Sequence, residues 1–295
     1  MIELRNVTKK FGRNTAVDDL SLAVPAGQIF GLLGHNGAGK STAIGMMLGQ
    51  VWPTAGQVRV CGHDVARDRR LALQKVGAIF EAPAFYNELS GWRNLEILSH
   101  YTMPTPARRI QEVVDWVGLG GRIKDKVNTY SHGMRARLAL GQALLPRPEL
   151  LILDEPGDGL DPEGIHEMRL TIQRLQRELG LTILLSSHLL TEVEQVCLSI
   201  AVMNHGRKVF QGGIAETRRQ RGWLRLRAGN FAEAVRILRE SGLLAEERDG
   251  QFIRPAEGVG PNQVVERLVE RRQPVFEIAP EEETLEGFYL ALMKK

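Results

Sequence analysis

Cysteine is scarce. Two residues in 295, Cys61 and Cys197, stand too far apart for a metal-ligand pair and are too few for a disulfide scaffold, which suits a reducing compartment. No apolar run reaches the roughly eighteen residues that a membrane span requires. The opening Met1-Ile2-Glu3-Leu4-Arg5 has no apolar signal-peptide core, so work at a membrane would pass through a partner. Charge of one sign is also missing. The net value is +3, and the Arg pairs at 69–70, 108–109, 218–219 and 271–272 are interleaved with acids as on a solvated surface. No direct nucleic-acid contact is expected. What remains is an ordinary globular composition, 43% hydrophobic and 25% charged, with length for a large core and two domains.

Against this background one segment stands out. Gly34-His35-Asn36-Gly37-Ala38-Gly39-Lys40-Ser41-Thr42 follows the apolar run Ile29–Leu33 and opens a helix-forming stretch. Strand, glycine loop and helix in that order form a phosphate-binding loop. The glycines let backbone N–H groups close around a polyphosphate where a Cβ would obstruct them. The helix N-terminus adds partial positive charge, Lys40 brings a full charge to the outer phosphates, and the Ser41 hydroxyl can ligate Mg²⁺. The expected ligand is a nucleoside triphosphate.

Strand-like alternation occupies the first 30 residues, and a further strand runs from Gln57 to Cys61. From about Asn87 to Leu145 the apolar spacing is helical. The buried-strand run Leu150–Leu153 comes next, then an amphipathic helix from about Ile165 to Leu179 ended by Gly180, then a buried strand from Thr182 to Ser186. Strands alternating with helices predict a mostly parallel α/β sheet carrying an inserted helical subdomain at about 85–145. Gly212-Gly213 marks a boundary, giving domains 1–213 and 214–295. The second is expected as a small α+β appendage, with strands at 223–227 and 275–278, helices around 231–238 and 264–269, and a closing helix at 284–293. Beyond residue 210 acidic and basic residues balance, so this is no nucleic-acid tail.

Leu153-Asp154-Glu155-Pro156 ends the first of those buried strands with two adjacent carboxylates. Asp154 can hold Mg²⁺ through water, and Glu155 can orient and deprotonate an attacking water. A strand ending in Asp-Glu is common; beyond a phosphate loop it reads as the other half of a hydrolytic site.

These residues together resemble the ATP-binding subunit of ABC transporters over roughly residues 1 to 215. The resemblance implies a P-loop NTPase cassette with a mostly parallel core, an antiparallel β subdomain and the helical insert. Tyr130-Ser131-His132-Gly133-Met134 stands where the family has Leu-Ser-Gly-Gly-Gln; Ser131 and Gly133 are kept. The family implies that this segment clasps the γ-phosphate held by the opposite subunit, with Asp161 in Asp158-Gly159-Leu160-Asp161-Pro162 also reaching across. Gly157 and Asp158 depart from the usual Thr and Asn or Ala. Phe11 matches the aromatic that stacks on adenine, and His188, after Ser186-Ser187, matches the switch histidine at the γ-phosphate. Glu81 replaces the usual glutamine at the hinge to the membrane subunit, and a carboxylate ligates a hard cation better than an amide does. Glu81 is therefore expected near Mg²⁺.

Glutamate at that place, Pro83 with its aromatic neighbours, and the closing Leu285-Glu286-Gly287-Phe288 resemble exporters of the bacitracin and lantibiotic self-protection type. The implied protein is an ATPase using ATP and Mg²⁺, paired with a second ATP-binding subunit of the same or a paralogous kind. It would sit on the cytoplasmic face of the cell membrane through a separate permease. A soluble ABC ATPase acting on ribosomes or DNA is the competing class. The single phosphate loop and the lack of heptads count against it. An importer ATPase is a further alternative. An unrelated kinase or GTPase is disfavoured because no guanine-reading Asn-Lys-x-Asp run occurs.

Overall fold

The computed structural model describes residues 1–80, 84–102, 104–217, 223–281 and 284–293. It divides into two compact units, Met1–Ile214 (joined by Leu292 and Met293) and Ala215–Ala291.

In the first unit, the alternating residues at the start of the chain form a long hairpin, β1 (Ile2–Phe11) and β2 (Asn14–Val24), turning at Gly12. Ile2, Leu4 and Val7 point to one buried face with Leu20, Leu22 and Val24. β3 (Ile29–Leu33) is buried at every position and leads through the glycine loop into α1 (Lys40–Met47). β4 (Ala55–Val60) adds to the free edge of β1, and the two-residue β5 (His63–Asp64) adds to β4. The result is an antiparallel sheet of order β2-β1-β4-β5. Short α2 (Arg69–Leu73) then precedes β6 (Val76–Ile79).

The helical insert consists of α3 (Gly91–Thr102), α4 (Ala107–Trp116) and α5 (His132–Leu144). Beyond it come β7 (Leu150–Asp154), α6 (Pro162–Leu179), β8 (Thr182–Ser187), α7 (Leu190–Val196), β9 (Ser199–Asn204) and β10 (Arg207–Gly213). The central sheet has the order β10-β9-β3-β8-β7-β6. Five strands are parallel, and β10 is an antiparallel edge. Burial on both faces explains the apolar runs of β3, of Leu150–Leu153 in β7 and of Ile183–Leu185 in β8. Leu32, Ile152 and Leu184 join α1 and the antiparallel sheet in one core cluster. On the opposite face of β3, Gly31 lies so close to α7 that a Cβ there would meet Val193 at 2.8 Å.

The fold is the expected α/β cassette with its antiparallel subdomain and helical insert. Four strands of this unit were not expected from the sequence, namely β5, β6, β9 and β10. The last two form the hairpin around Asn204-His205-Gly206, where positive φ at His205 and Gly206 makes the turn. The helix expected from Ile165 begins three residues earlier. Asp161 caps it and Pro162 occupies its first turn, a position that suits proline.

α8 (Ile214–Thr217) leads in the chain to the second unit. That unit runs β11 (Leu224–Ala228), α9 (Phe231–Glu240), β12 (Leu244–Arg248), β13 (Phe252–Pro255), α10 (Pro261–Glu270) and β14 (Val275–Pro280), followed by α11 (Leu285–Met293). Its strand order, β12-β13-β11-β14, is that of the split β-α-β-β-α-β motif, with every pairing antiparallel. Leu226, Leu238, Ile253, Val264 and Leu268 form its own core. The β12–β13 hairpin escaped the sequence reading because β12 is an edge strand of largely polar residues, Ala245-Glu246-Glu247-Arg248, without an apolar face to announce it.

Candidate functional site

The turn from β3 into α1 depends on two glycines with positive φ, Gly37 at 82° and Gly39 at 100°. At Gly39 an added Cβ would lie 2.5 Å from the carbonyl oxygen of Ala16, so close approach and φ both demand glycine. Gly34 and Ala38 lie under the loop: a Cβ on Gly34 would collide with the Met203 carbonyl at 2.7 Å, and buried Ala38 donates its N–H to the His35 carbonyl at 3.0 Å. Lys40 begins α1 and is 5% exposed. Its Nζ donates to the Gly34 carbonyl at 2.7 Å and lies 3.4 Å from Glu155 Oε1.

A cleft of about 830 Å³ opens above this loop. It brings together most of the expected residues: Phe11, the loop residues His35 to Gly37 and Gly39 to Thr42, Glu155 and His188. The Phe11 ring is half exposed, with Lys9 Nζ 4.7 Å above its centroid, so its open face can stack on a base. His35 Nδ1 donates to the Asn36 carbonyl at 2.7 Å, and Nε2 meets Asn204 Oδ1 at 3.1 Å.

β7 delivers Asp154 to its carboxyl end, and Ser186 of the adjacent β8 ties the Asp154 carboxylate to the backbone of Glu155. The buried Ser186 hydroxyl donates to Asp154 Oδ1 and accepts the Glu155 N–H at 3.0 Å. Glu155 itself has φ of 47°, a left-handed conformation that costs a non-glycine residue about 1–3 kcal/mol and must be held by its surroundings. Part of what holds it is His188, whose Nδ1 meets Glu155 Oε2 at 2.7 Å while its backbone N–H donates to the same oxygen at 3.2 Å. Glu155 is thus bracketed by Lys40 and His188 at the mouth of the loop, where a carboxylate can orient a water against a terminal phosphate.

Ser41 and Asp154 line a neighbouring cavity of about 540 Å³ with Glu155. A serine hydroxyl and a carboxylate are oxygen donors of the kind Mg²⁺ takes. Among the described residues no group of three or more His, Cys, Asp and Glu could hold a metal ion. A few protein oxygens completed by substrate phosphates and water fit Mg²⁺ better than a closed protein cage would. Glu81, expected beside that ion, lies outside the described residues.

The three residues expected to reach the neighbouring subunit's nucleotide do not line the phosphate-loop cleft. Ser131 caps α5, its hydroxyl accepting the Met134 N–H at 3.2 Å, and the hydroxyl and the helix N-terminus face solvent. Gly133 sits in the first turn of that helix, where an added Cβ would meet only the Ser131 Oγ, at an ordinary contact distance of 3.9 Å. Asp161 caps α6 by accepting the Gly164 N–H at 3.1 Å. Tyr130, which departs from the usual leucine, has a structural reason. Its buried hydroxyl donates to the Arg122 carbonyl at 2.8 Å, made possible because Gly91 leaves room, and burial pushes the phenol's pKa up. Sequence reasoning did not single out the Ser186 bridge or the Asn204-His205-Gly206 turn. The turn carries its own signal, an Asn-His-Gly run between apolar stretches; the bridge has none.

Residues 17–158 match the family model described as ABC transporter. Over 293 residues, 99% of this chain and 95% of the relative, the chain is 39% identical to the ABC transporter ATP-binding protein YhcH of Bacillus subtilis (strain 168). It is 41% identical over 242 residues, 82% of this chain and 79% of the relative, to the bacitracin transport ATP-binding protein BcrA of Enterococcus faecalis. A solved ATP-binding subunit of an ABC transporter superposes with a TM-score of 0.66 at 29% identity, covering 75% of this chain and 92% of its own. A glycine loop, a strand-end carboxylate pair and this cassette define a phosphate-loop ATPase. The chain belongs to the ABC transporter family, as an ATP-binding subunit that hydrolyses ATP.

Proposed function

We propose that this subunit powers export, in partnership with a separate transmembrane permease and a second ATP-binding subunit, at the cytoplasmic face of the cell membrane. The similarity to BcrA, a bacitracin transport protein, along most of both chains supports an antibiotic- or peptide-like cargo. Among the described residues no helix is long and apolar enough to cross a membrane, which fits a peripheral motor.

ATP would lie with its base against Phe11 and its phosphates in the loop, where Lys40 and the α1 N-terminus offset their charge. Mg²⁺, when bound, would neutralise phosphate charge, with Ser41, Asp154 and Glu81 as its protein partners. Glu155 takes a proton from water as that water attacks the γ-phosphorus and the bond to the β–γ bridging oxygen breaks, leaving ADP and phosphate; His188 holds the carboxylate in place. Ser131, Gly133 and Asp161 act on the nucleotide of the neighbouring subunit. ATP then glues two subunits together, and its cleavage releases them.

The observation that carries this reading is the convergence of Lys40, Glu155 and His188 in one cleft, with Ser131 turned to solvent on a different helix. The test is Glu155→Gln. ATP binding should persist while turnover falls by about 10²–10⁴-fold, the usual range for loss of a general base, and sedimentation with MgATP should show a trapped dimer. Unchanged turnover would remove Glu155 from the mechanism. Glu81→Gln is expected to alter the Mg²⁺ dependence of hydrolysis; an identical dependence would leave Glu81 without that role.

A further inference from the structure

The helix that follows His188 is weakly anchored by packing. α7 has seven residues, and Val193 is the one fully buried in it. Beneath it a cavity of about 40 Å³ separates α6 and α7 from the strand ends that carry Glu155 and His188, its walls including Ile165, Met168, Leu189 and Val196. Apolar contact is therefore incomplete on the side of α7 nearest the chemistry, and a void forfeits the contacts its lining would otherwise make.

What bridges this gap is polar. Arg169 of α6, with a side chain 17% exposed, sends one guanidinium nitrogen to Gln195 Oε1 and to Glu192 Oε2 at 3.5 Å, both on α7. Its other terminal nitrogen donates to His166 Nδ1 at 2.5 Å, which fixes the guanidinium on its own helix. One turn further along α6, Gln173 Nε2 donates to the Gln195 carbonyl at 3.0 Å. Arginine suits this place because its planar fork serves several acceptors at once, which an ammonium cannot do in fixed geometry.

We propose that Arg169 is a positioning residue for hydrolysis: by clamping Glu192 and Gln195 it sets where α7 begins, and so holds His188 against Glu155. The inference rests on the assignment of Glu155 and His188 under Proposed function. It also gives α6 a second task. The same helix starts at the Asp161 cap, so the loop at its N-terminus and the histidine before α7 are tied to one rigid element.

The test compares steady-state MgATP hydrolysis by the full chain carrying Arg169→Ala, Arg169→Lys, Glu192→Ala, the Arg169→Ala/Glu192→Ala pair, and His188→Ala. Misplacing a catalytic group by about an ångström can cost as much as 10²-fold. Arg169→Ala should therefore lower kcat by between about 10- and 100-fold, with KM for ATP and thermal midpoint close to wild type. Glu192→Ala should follow it, and the double variant should lose no more than the worse single one, because both act through one contact. Arg169→Lys should recover part of the loss by keeping the ion pair with Glu192. If Arg169→Ala yields no folded protein, Glu192→Ala and Arg169→Lys give the same reading. A wild-type kcat in the clamp variants while His188→Ala is impaired would overturn the clamp and leave the role of His188 intact. A fall in kcat that tracks a lowered thermal midpoint and a raised KM would also overturn it, as a purely structural contact. Wild-type kcat in His188→Ala would instead remove the reading on which the clamp depends.

Discussion

A single hydroxyl holds the two halves of the hydrolytic site in register. Ser186 donates to Asp154 and accepts from the Glu155 N–H, so one side chain fixes both the proposed Mg²⁺ carboxylate and the strained backbone of the proposed base. Replacing it with alanine removes the donor to the Asp154 carboxylate, while the Glu155 N–H keeps its second acceptor, the Ser186 carbonyl at 3.2 Å. Ser186→Ala should lower stability by about 1.5–3 kcal/mol, the usual worth of a hydrogen bond to a charged group. It should also reduce kcat more than ATP affinity. Thermal unfolding and isothermal binding, measured on the same preparation, check both, and a variant with wild-type turnover would show that the bridge is dispensable. At this scale the sequence was legible where chemistry repeats a spacing. Lys40, Glu155 and His188 could be named from their motifs, and the structure brings them together. Ser186 could not be assigned its bridge, because nothing in a Leu-Leu-Ser-Ser-His run tells which serine faces the neighbouring strand.

Elements place those residues, and two of them invite specific tests. The phosphate loop needs glycine at 39 for two independent reasons, φ of 100° and the Ala16 carbonyl at 2.5 Å. Gly39→Ala should therefore displace the loop and raise the Kd for ATP at least about tenfold, equivalent to roughly 1.4 kcal/mol; unchanged affinity would mean the loop tolerates the shift. At the end of the antiparallel sheet, Asp64 accepts from Gln57 Nε2 at 2.6 Å and from the N–H groups of Ala66 and Arg67. The Gln57 hydrogen bond first, then those backbone donors, hold its carboxyl below the ordinary value of 3.8. A lowered native pKa contributes stability above the unfolded value, lost as pH falls through the folded one. Asp64→Asn should thus be less stable than wild type at pH 7, and the gap should narrow below pH 3.8, as acid titration of the unfolding midpoint can check. Element boundaries followed the sequence where burial on both faces left apolar runs, as in β3 and β7. They were missed at the polar edge strand β12, and also at β9, an internal strand whose run Ile200–Met203 is buried.

At the scale of the whole chain, the two units have separate hydrophobic cores. Leu238→Ala removes a fully buried side chain from the second core and should destabilise that unit by about 2–5 kcal/mol. Hydrogen exchange should then rise in residues 224–280, while the Kd for ATP stays within about twofold, a shift under roughly 0.4 kcal/mol. Exchange rising equally around the phosphate loop would contradict the separation. The motifs could be read in sequence, but the split β-α-β-β-α-β order of the second unit could not, since it is defined by pairings between distant strands.

In the proposed scheme hydrolysis needs the loop of one subunit and Ser131 of another. Mixing two inactive variants, Lys40→Ala and Ser131→Ala, tests it directly. In a mixed pair one composite site carries both substitutions and the other carries none. ATPase activity should return on mixing, approaching one intact site per mixed pair. Activity that stays at the level of the separate variants, although the two form a pair in MgATP, would contradict it.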